Sequence, residues 1–335
     1  MTITIKDVAK RSGVSVATVS RILNGLEGYS PETKQHVLQV IEELGYKRNA
    51  IARGLATKTT RTIGVLIPDV STSFHGEVLR GIEDESHKNN YSVVLCNTGH
   101  IGSRTPEYLR VLEERQVDVI IIVSICITDD IHEILSGLRI PYILVSTNSF
   151  KFDIPYVKVD DEKAAYTATK YLIENGHQSI AMIAGSQLDL IAGAPRVNGY
   201  KKALVDFGIE IDESLIKYGD FSYESGIKCM NEFLSENKNF TAVFAASDDM
   251  AVGVLNVAYK NNIRVPDELS VVGYDNTKTA SMAIPPLTSV GQPLYDLGKK
   301  SVDKVLTMLT TSSIVDSTIM PHTIIERDSV KNLKS

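Results

Sequence analysis

A short stretch near the N-terminus combines side chains that proteins use to read DNA. Val16 and Ala17 are small and apolar, and Arg21 follows one helical turn later. Apolar side chains contact thymine methyl groups, and an arginine guanidinium donates paired hydrogen bonds to guanine O6 and N7. On one exposed helix face, these three residues are predicted to contact base edges in the major groove.

Hydroxyl groups flank this stretch and suit contacts to phosphate. Ser15, Thr18 and Ser20 can hydrogen-bond phosphate oxygens, which fixes the register of a protein on DNA without reading its sequence. The alternative is a small structural bundle in which Arg21 is merely solvated. The predicted contacts to the DNA backbone are Thr4, Ser15, Thr18, Ser20, Asn24 and Tyr46.

Two short helices are predicted around these residues. Thr4 and Asp7 have the spacing of a capping box, so a first helix should begin there and end at Gly13. Ser15 is placed to cap a second helix over 16–23. Helix, glycine turn and helix form the helix-turn-helix pattern, in which the second helix enters the major groove.

A third helix and the charge distribution support a DNA-binding head. Ser30-Pro31 predicts the first positions of this helix, and Gly45 ends it. Residues 1–60 hold nine Lys/Arg against five Asp/Glu, whereas the remainder holds 26 against 36. The formal net charge of −6 therefore hides a basic head on an acidic body, and a basic head favours a polyanionic partner.

From residue 63 onward the pattern changes to one that is typical of parallel sheets. Short runs rich in β-branched residues recur, and an amphipathic helical pattern follows each run. These runs predict two doubly wound lobes with a cleft at the carboxyl ends of the strands. The predicted strands are 63–67, 92–96, 119–123, 142–145, 180–183, 242–245 and 270–274.

Composition excludes several classes of protein. No apolar run approaches the ~18–20 residues that span a bilayer, and charged residues stand where a signal peptide would be apolar. Cys96, Cys126 and Cys229 lie far apart, so they are expected to be small buried residues in the reducing cytoplasm.

An enzyme on a doubly wound fold is the remote alternative. Asp248, Asp249 and Asp275 have the chemistry of acid and base groups, but the basic head would then have no role. The chain lacks the glycine-rich nucleotide motifs and the signatures of metalloproteases and hydrolases. A periplasmic-type binding protein would lack the helix-turn-helix. We therefore predict no catalytic residue, no cofactor and no metal.

The first 25 residues resemble the signature of the LacI/GalR family of bacterial transcription regulators. The matching segment reads ITIKDVAKRSGVSVATVSRILNG from Ile3 to Gly25. The resemblance implies an α/β chain with a helix-turn-helix headpiece at 1–48, a hinge helix and linker at 49–60, and a core at 61–335. The core would have two lobes of periplasmic-binding-protein type, about 61–160 with 291–320, and about 161–290 with 321–335. Similar segments follow at 44–46, 49–55, 63–69, 175–177, 272–276 and 287–293.

The same resemblance implies a function. The chain would be a cytoplasmic, sequence-specific transcriptional regulator, most simply a homodimeric repressor of a sugar-utilisation operon that binds a pseudo-palindromic DNA operator. A sugar or sugar phosphate in the interlobe cleft would control operator affinity. The C-terminus lacks leucine heptads, so a tetramerising coiled coil is not expected.

Two sets of site residues also follow from the resemblance. The hinge would place Leu55 as a wedge in the minor groove, next to Ala52, Arg53 and Ala56. This chain has Arg48 where the family usually has proline. For Asp248 the open alternative is that it caps the next helix. The implied effector-binding residues are Asp69, Phe74, His75, Arg196, Phe221, Asp248 and Asp275.

A further similarity, at 293–298 and 221–227, is to the catabolite control subgroup of the family. Those regulators bind a serine-phosphorylated phosphocarrier protein as corepressor, which would place Tyr295 and Asp296 on a partner surface. The subgroup presents an arginine to the phosphoserine at the position of Asp303. A carboxylate repels phosphate, so Lys299, Lys300 or Lys304 would have to compensate. A regulator released by its own sugar is therefore favoured, and a phosphocarrier-driven regulator is the alternative.

Overall fold

The structure is a computed structural model that describes residues 3–23, 25–46, 59–99, 102–311 and 313–334. The chain divides into two compact units, Met1–Thr60 and Arg61–Ser335, which we call the headpiece and the body. The predicted hinge residues Ala52, Arg53, Leu55 and Ala56 lie outside the described residues, as does Asn24.

The headpiece consists of the three predicted helices. The capping box at Thr4 and Asp7 starts α1, and Gly13 ends it with a φ of 68°. Ser30 caps α3 by accepting a hydrogen bond from the Thr33 amide. The bounds are α1 (Ile5–Ser12), α2 (Val16–Leu23) and α3 (Pro31–Glu43). The buried side chains that join them are Val8, Ala9, Val19, Ile22, Val37 and Val40.

The body contains two six-stranded sheets, in the orders β11-β5-β4-β3-β1-β2 and β12-β10-β9-β8-β6-β7. All pairs are parallel except β10 with β12. The first sheet comprises β1 (Thr62–Ile67), β2 (Ser92–Asn97), β3 (Val119–Val123), β4 (Tyr142–Val145), β5 (Tyr156–Val159) and β11 (Thr318–Met320). The second comprises β6 (Ile180–Ala184), β7 (Ile216–Tyr218), β8 (Ala242–Ala245), β9 (Ser270–Asp275), β10 (Thr288–Gly291) and β12 (Thr323–Ile325).

Helices cover both faces of each sheet. In the first sheet Val65 faces one buried cluster and its neighbour Leu66 faces another, as expected for a strand buried on both sides. The body helices are α4 (Ser73–Lys88), α5 (Thr105–Glu114), α6 (Asp129–Gly137), α7 (Asp161–Glu174), α8 (Gly193–Asp206), α9 (Tyr223–Ser235), α10 (Asp248–Lys260), α11 (Lys278–Met282) and α12 (Leu294–Thr311). The predicted two doubly wound lobes are thus confirmed.

Helices α4 and α12 cross so closely that glycine is required at the contact. A Cβ at Gly81 would lie 2.0 Å from the Tyr295 carbonyl oxygen, and a Cβ at Gly298 would lie 2.1 Å from that of Val78. Helix α12 therefore belongs with α4 and the first sheet, although it follows the strands of the second sheet in the sequence.

We define lobe 1 as the first sheet with α4–α6 and α12, and lobe 2 as the second sheet with α7–α11. Within the described body the chain passes between the lobes after β5, after β10 and between β11 and β12. Because both sheets are mainly parallel, their carboxyl ends gather the loops that follow the strands.

Two further findings concern the predictions about membrane-spanning segments and cysteine burial. No helix in the described ranges is long and apolar enough to cross a membrane. Cys96 and Cys229 are buried as expected, but Cys126 is exposed. The expectation for Cys126 was wrong because this residue lies in the loop just beyond β3, where the polypeptide has left the covered sheet.

Candidate DNA-binding face and effector cleft

Helix α2 presents the predicted reading residues to solvent. Val19 and Ile22 are buried in the headpiece core, which leaves Val16, Ala17 and Arg21 exposed on the rest of the helix. An exposed row of small apolar side chains with an arginine one turn later suits contact with base edges. The structure therefore gives α2 the exposed face that the sequence predicted.

Some of the hydroxyl groups predicted to contact phosphate lie at the starts of helices. Ser15 Oγ accepts a hydrogen bond from the Thr18 amide at 3.0 Å and lies 2.9 Å from Thr18 Oγ1. Thr4 Oγ1 donates to Asp7 at 2.7 Å. Ser20 is half-buried, and Tyr46 packs against the headpiece core. The cap residues Thr4 and Ser15 thus lie at helix N-termini, positions at which backbone amides can bind an anion.

The predicted effector residues all lie at or near the carboxyl ends of strands. Asp69 follows β1, and Phe74 and His75 open α4. In lobe 2, Phe221 follows β7, and Asp248 is the first residue of α10 after β8. Asp275 ends β9 and Arg196 lies on α8, so lobe 2 brings its predicted residues to one edge of its sheet.

Arg196 is the centre of the lobe 2 group. Its side chain is only 7% exposed, and its guanidinium donates from Nε and Nη2 to Asp161 Oδ1 at 3.0 and 2.8 Å. The guanidinium carbon lies 3.6 Å from the ring centre of Tyr274 and 5.6 Å from that of Phe221. Burial opposes the guanidinium charge, but Tyr274, Asp161 and Asp275 outweigh it and raise the pKa of Arg196.

Asp248 and Asp275 are two buried carboxyl groups on the same side of lobe 2. Asp248 accepts hydrogen bonds from the Thr277 amide and hydroxyl and from Ser289. Asp275 accepts one from Gln292 Nε2 at 2.8 Å. Burial raises the pKa of both groups; the charge of Asp249 adds to the effect on Asp248, and the charge of Asp248 adds to the effect on Asp275.

The alternative for Asp248 was a helix cap, and the structure gives that role to its neighbour. The hydroxyl of Ser247 accepts the hydrogen bond from the Met250 amide at the start of α10. The Asp248 carboxylate instead points inward and joins α10 to the segment after β9 and to β10 itself.

Lobe 1 contributes a smaller group. Asp69 Oδ1 accepts from the Ser71 amide and hydroxyl, both at 2.8 Å, and these bonds lower its pKa. His75 Nδ1 lies 2.8 Å from Thr72 Oγ1, whereas Nε2 is buried without a described partner. Burial lowers the pKa of His75 to about 4, although Asp69 acts in the opposite direction. Phe74 packs edge-on against His75.

Sequence reasoning missed several polar residues that follow the carboxyl ends of strands. Ser124 and Ser146 directly follow β3 and β4 with φ of 52° and 53°, and Ser146 Oγ is buried without a described partner. Their position directly after two predicted strands was a usable signal. Asp161 and Gln292 gave no such signal, because their partners Arg196 and Asp275 are distant in sequence.

The two lobes touch at the rim of the cleft. Ser73 Oγ of α4 lies 3.2 Å from Thr279 Oγ1 of α11. Glu77 Oε1 of α4 lies 3.5 Å from Lys278 Nζ of α11. These two contacts, which we call the rim contacts, tie the start of α4 to lobe 2.

The predicted partner surface lies on α4 and α12. Tyr295 donates its hydroxyl hydrogen to Asp84 at 3.0 Å, and Arg80 stacks over its ring at 4.6 Å. Asp296 and Asp303 are exposed on α12. Several neighbouring cations are engaged within the chain, whereas Lys300 is exposed: Arg80 binds Glu77, Lys88 and Lys299 bind Glu85, and Lys304 donates to the Asp316 carbonyl.

Comparison with known proteins accounts for both units. Residues 4–49 match the family described as bacterial regulatory proteins, lacI family. Residues 60–328 match periplasmic binding proteins and sugar binding domain of LacI family. Catabolite control protein A from Priestia megaterium is 40% identical over 333 residues, which cover 99% of this chain and 100% of that protein.

Solved structures agree with this assignment. A transcriptional regulator CelR–cellobiose complex has a TM-score of 0.75 and 32% identity, covering 98% of this chain and 99% of that chain. The lac repressor dimer bound to operator and the anti-inducer ONPF has a TM-score of 0.89 and 27% identity, covering 99% and 100%. Since the similarities span the helix-turn-helix and both lobes, the chain belongs to the LacI family of DNA-binding transcriptional regulators.

Proposed function

We propose that this regulator is a homodimeric, cytoplasmic repressor of a sugar-utilisation operon, without catalytic activity, and that a small sugar in the interlobe cleft controls its operator affinity. The observation that carries the proposal is the group formed by Arg196, Phe221 and Asp275 at the carboxyl edge of lobe 2. A polyol needs carboxylates that accept from its hydroxyls, and an aromatic ring against which its apolar face packs.

The lobe 1 residues suit the opposite wall of such a site. Ser124 and Ser146 offer hydroxyls, and Phe74 offers a second aromatic ring near the cleft. The CelR relative binds cellobiose, which supports a sugar ligand for a chain of this architecture.

Effector binding and DNA binding would be linked through closure of the lobes. A ligand that favours one arrangement of the lobes shifts the geometry that lobe 1 gives to the two headpieces of a dimer. The coupling is reciprocal and typically ~1–3 kcal/mol. We retain Leu55 as the proposed minor-groove wedge, flanked by Ala52, Arg53 and Ala56.

A second copy of the chain is the proposed protein partner. A pseudo-palindromic operator is read by two helix-turn-helix units about one helical turn apart. The body exposes Met282 at 78% and Ile284 at 92%, side chains that a partner would cover. The similar lac repressor structure is a dimer bound to operator.

The alternative is a regulator that uses a serine-phosphorylated phosphocarrier protein as corepressor. The 40% identity to catabolite control protein A favours it. Against it, Asp303 stands exposed on α12 where a phosphoserine needs a cation, and the nearby Lys88 and Lys299 are paired with Glu85. We therefore prefer the sugar-controlled repressor.

The DNA-binding part is tested by selecting an operator from random duplexes with the full-length chain. The logarithm of the affinity should fall linearly with the logarithm of salt concentration, since each neutralised phosphate releases counterions. Arg21→Ala should lose about 1–3 kcal/mol of discrimination for the selected sequence while retaining salt-dependent binding to random DNA. Arg11→Ala removes another exposed arginine and should leave the sequence preference intact.

The effector part is tested by thermal denaturation of the full-length chain with sugars, sugar phosphates and the phosphorylated phosphocarrier. A ligand at 100 times its Kd should add ~2.7 kcal/mol to the free energy of unfolding. Stabilisation by a sugar that also changes operator affinity would support the proposal. Stabilisation by the phosphocarrier alone would replace it with the alternative.

A further inference from the structure

We infer that the cleft is built to exclude anionic ligands, because Asp161 and Asp189 occupy the two cationic features with which lobe 2 would otherwise bind a phosphate or carboxylate. The effector is then an uncharged polyol and not a sugar phosphate or sugar acid. This inference rests on the proposed function, namely that the cleft binds the effector.

The first cationic feature is the Arg196 guanidinium. An arginine binds a phosphate or carboxylate best with two parallel N–H groups on one edge of the fork. The Nε and Nη2 edge is already used, since both atoms donate to Asp161 Oδ1 at 3.0 and 2.8 Å. Nη1 donates to the Ala246 carbonyl at 2.5 Å. The guanidinium is thus held by protein acceptors and packed against Tyr274.

Lys158 adds a second cation that Asp161 also neutralises. Its Nζ lies 3.3 Å from Asp161 Oδ2 and 3.1 Å from Asn148 Oδ1, and its side chain is only 10% exposed. Arg196 and Lys158 therefore share Asp161, with Asp275 close enough to act on the Arg196 charge. Both cations are thus paired with a carboxylate inside the protein, and an additional anion would have to compete with Asp161 for them.

The second cationic feature is the N-terminus of α8. Backbone amides at a helix start bind anions readily, but here Asp189 fills the position. Its carboxylate accepts from the amides of Ile191, Ala192 and Gly193 at 2.8, 3.3 and 3.0 Å. Burial and, to a smaller extent, the Asp189 charge raise the pKa of Cys126 in lobe 1, so this helix start lies on the side of lobe 2 that faces lobe 1.

Removing the charge of Asp161 should free Arg196 and Lys158 to bind an anion, and removing the charge of Asp189 should free the amides at the start of α8. We would measure the binding of inorganic phosphate and of glucose 6-phosphate to the full-length chain by calorimetry and thermal denaturation. The wild type should show no saturable binding of either at millimolar concentration. Asp161→Asn keeps the side-chain size and should bind phosphate at least tenfold more tightly than the wild type, because Arg196 and Lys158 lose their shared counterion.

Matched controls separate this effect from a general change of charge. Glu162→Gln removes an exposed carboxylate next to Asp161 and should gain no phosphate binding. Arg196→Lys in the Asp161→Asn background should reduce the gain, because lysine keeps the charge but lacks the paired N–H groups with which arginine binds a phosphate. If Asp161→Asn does not fold, Asp189→Asn tests the same inference at the start of α8.

The outcomes distinguish this inference from the proposed function. Tight binding of glucose 6-phosphate in the wild-type cleft would overturn the exclusion of anions while leaving the cleft as an effector site. Absence of any gain in folded Asp161→Asn and Asp189→Asn would overturn the role of these carboxylates. A gain of phosphate binding with no response to any neutral sugar would support the inference and count against the sugar-controlled repressor.

Discussion

At the scale of single residues, Asp275 combines an unusual backbone with an unusual charge environment. Its φ of 106° lies in the region that side-chain-bearing residues rarely adopt, and such conformations concentrate at functional sites. Its carboxyl group is buried and has a pKa well above the ordinary value of 3.8, mainly because burial disfavours the charge. The fold thus retains a residue that weakens it, which is typical of a binding residue.

Replacing Asp275 by asparagine should stabilise the chain and abolish its response to effector. A raised folded-state pKa contributes stability that is complete below 3.8 and is lost as pH rises through the raised value. The gain of Asp275→Asn over wild type in urea unfolding should therefore grow from about pH 5 to about pH 8, by up to ~1.4 kcal/mol per pH unit within the titration window. Asp303→Asn, an exposed control, should show no such trend, and an equal gain at both pH values would contradict the argument.

His75 should give the opposite pH dependence. Its pKa is lowered from 6.5 to about 4, so its contribution to stability is present above 6.5 and is lost as pH falls through about 4. His75→Asn keeps an acceptor or donor near Thr72 and cannot take up a proton. The variant should lose less stability than the wild type between about pH 7 and about pH 4.5, which denaturant unfolding at both values would measure. A parallel loss in the two proteins would show that His75 does not titrate in this way.

At the scale of elements, the rim contacts link α4 to α11 and should favour the arrangement of lobes seen here. Lys278→Ala removes the 3.5 Å pair with Glu77 but leaves the Ser73–Thr279 contact. Because Lys278 is 79% exposed, solvent screens the pair, and the expected loss in effector affinity is less than about fivefold. Arg80→Ala removes another cation from Glu77 within α4 and should have no effect on effector affinity. A salt-independent loss in Lys278→Ala would contradict the electrostatic reason.

The elements were predicted from sequence where the signal was local. The caps at Thr4 and Ser30 and the seven longer or more apolar strands depend on neighbouring residues, and they were found. The strands β5, β7, β10, β11 and β12 were not predicted, since each has only three or four residues and all of them contain lysine, threonine or serine. Pairing across a sheet, which no local pattern encodes, decides that these segments are strands.

The candidate site shows the same difference between features that depend on neighbouring residues and features that depend on distant ones. Positions such as Asp275 were found because they stand directly at strand ends or match a family motif. The bond from Arg196 to Asp161 spans 35 residues, and the bond from Thr277 to Asp248 spans 29. Such pairs arise from the packing of separate βα units, so the sequence predicted the members of the cleft better than their connections.

At the scale of the whole molecule, the headpiece and the body should unfold separately. The headpiece core consists of small aliphatic side chains such as Val8 and Val40, whereas lobe 2 alone buries Phe233, Phe244 and Tyr274. Small domains bury a smaller fraction of their surface and are correspondingly less stable. In the absence of DNA, the headpiece should melt first.

Two substitutions of the same kind test this independence. Val19→Ala in the headpiece core should destabilise only the unit that unfolds in the first transition, and Val254→Ala in α10 only the unit that unfolds in the second. Each substitution should lower the free energy of unfolding of its unit by about 2 kcal/mol. Scanning calorimetry of the full-length chain measures both transitions. A single cooperative transition that both substitutions shift would show that the two units unfold together.

The passages of the chain between the lobes have a consequence for synthesis on the ribosome. Lobe 1 begins with β1, yet it needs α12 and β11 from the far end of the chain, and Gly298 packs directly onto α4. As the polypeptide emerges in order, lobe 2 can assemble its parallel strands while lobe 1 still lacks a covering helix and an edge strand. A frameshift or early stop after residue 293 would therefore leave lobe 1, which is synthesised first, without α12 and β11. Such products should be removed by proteolysis instead of persisting as free sugar-binding fragments.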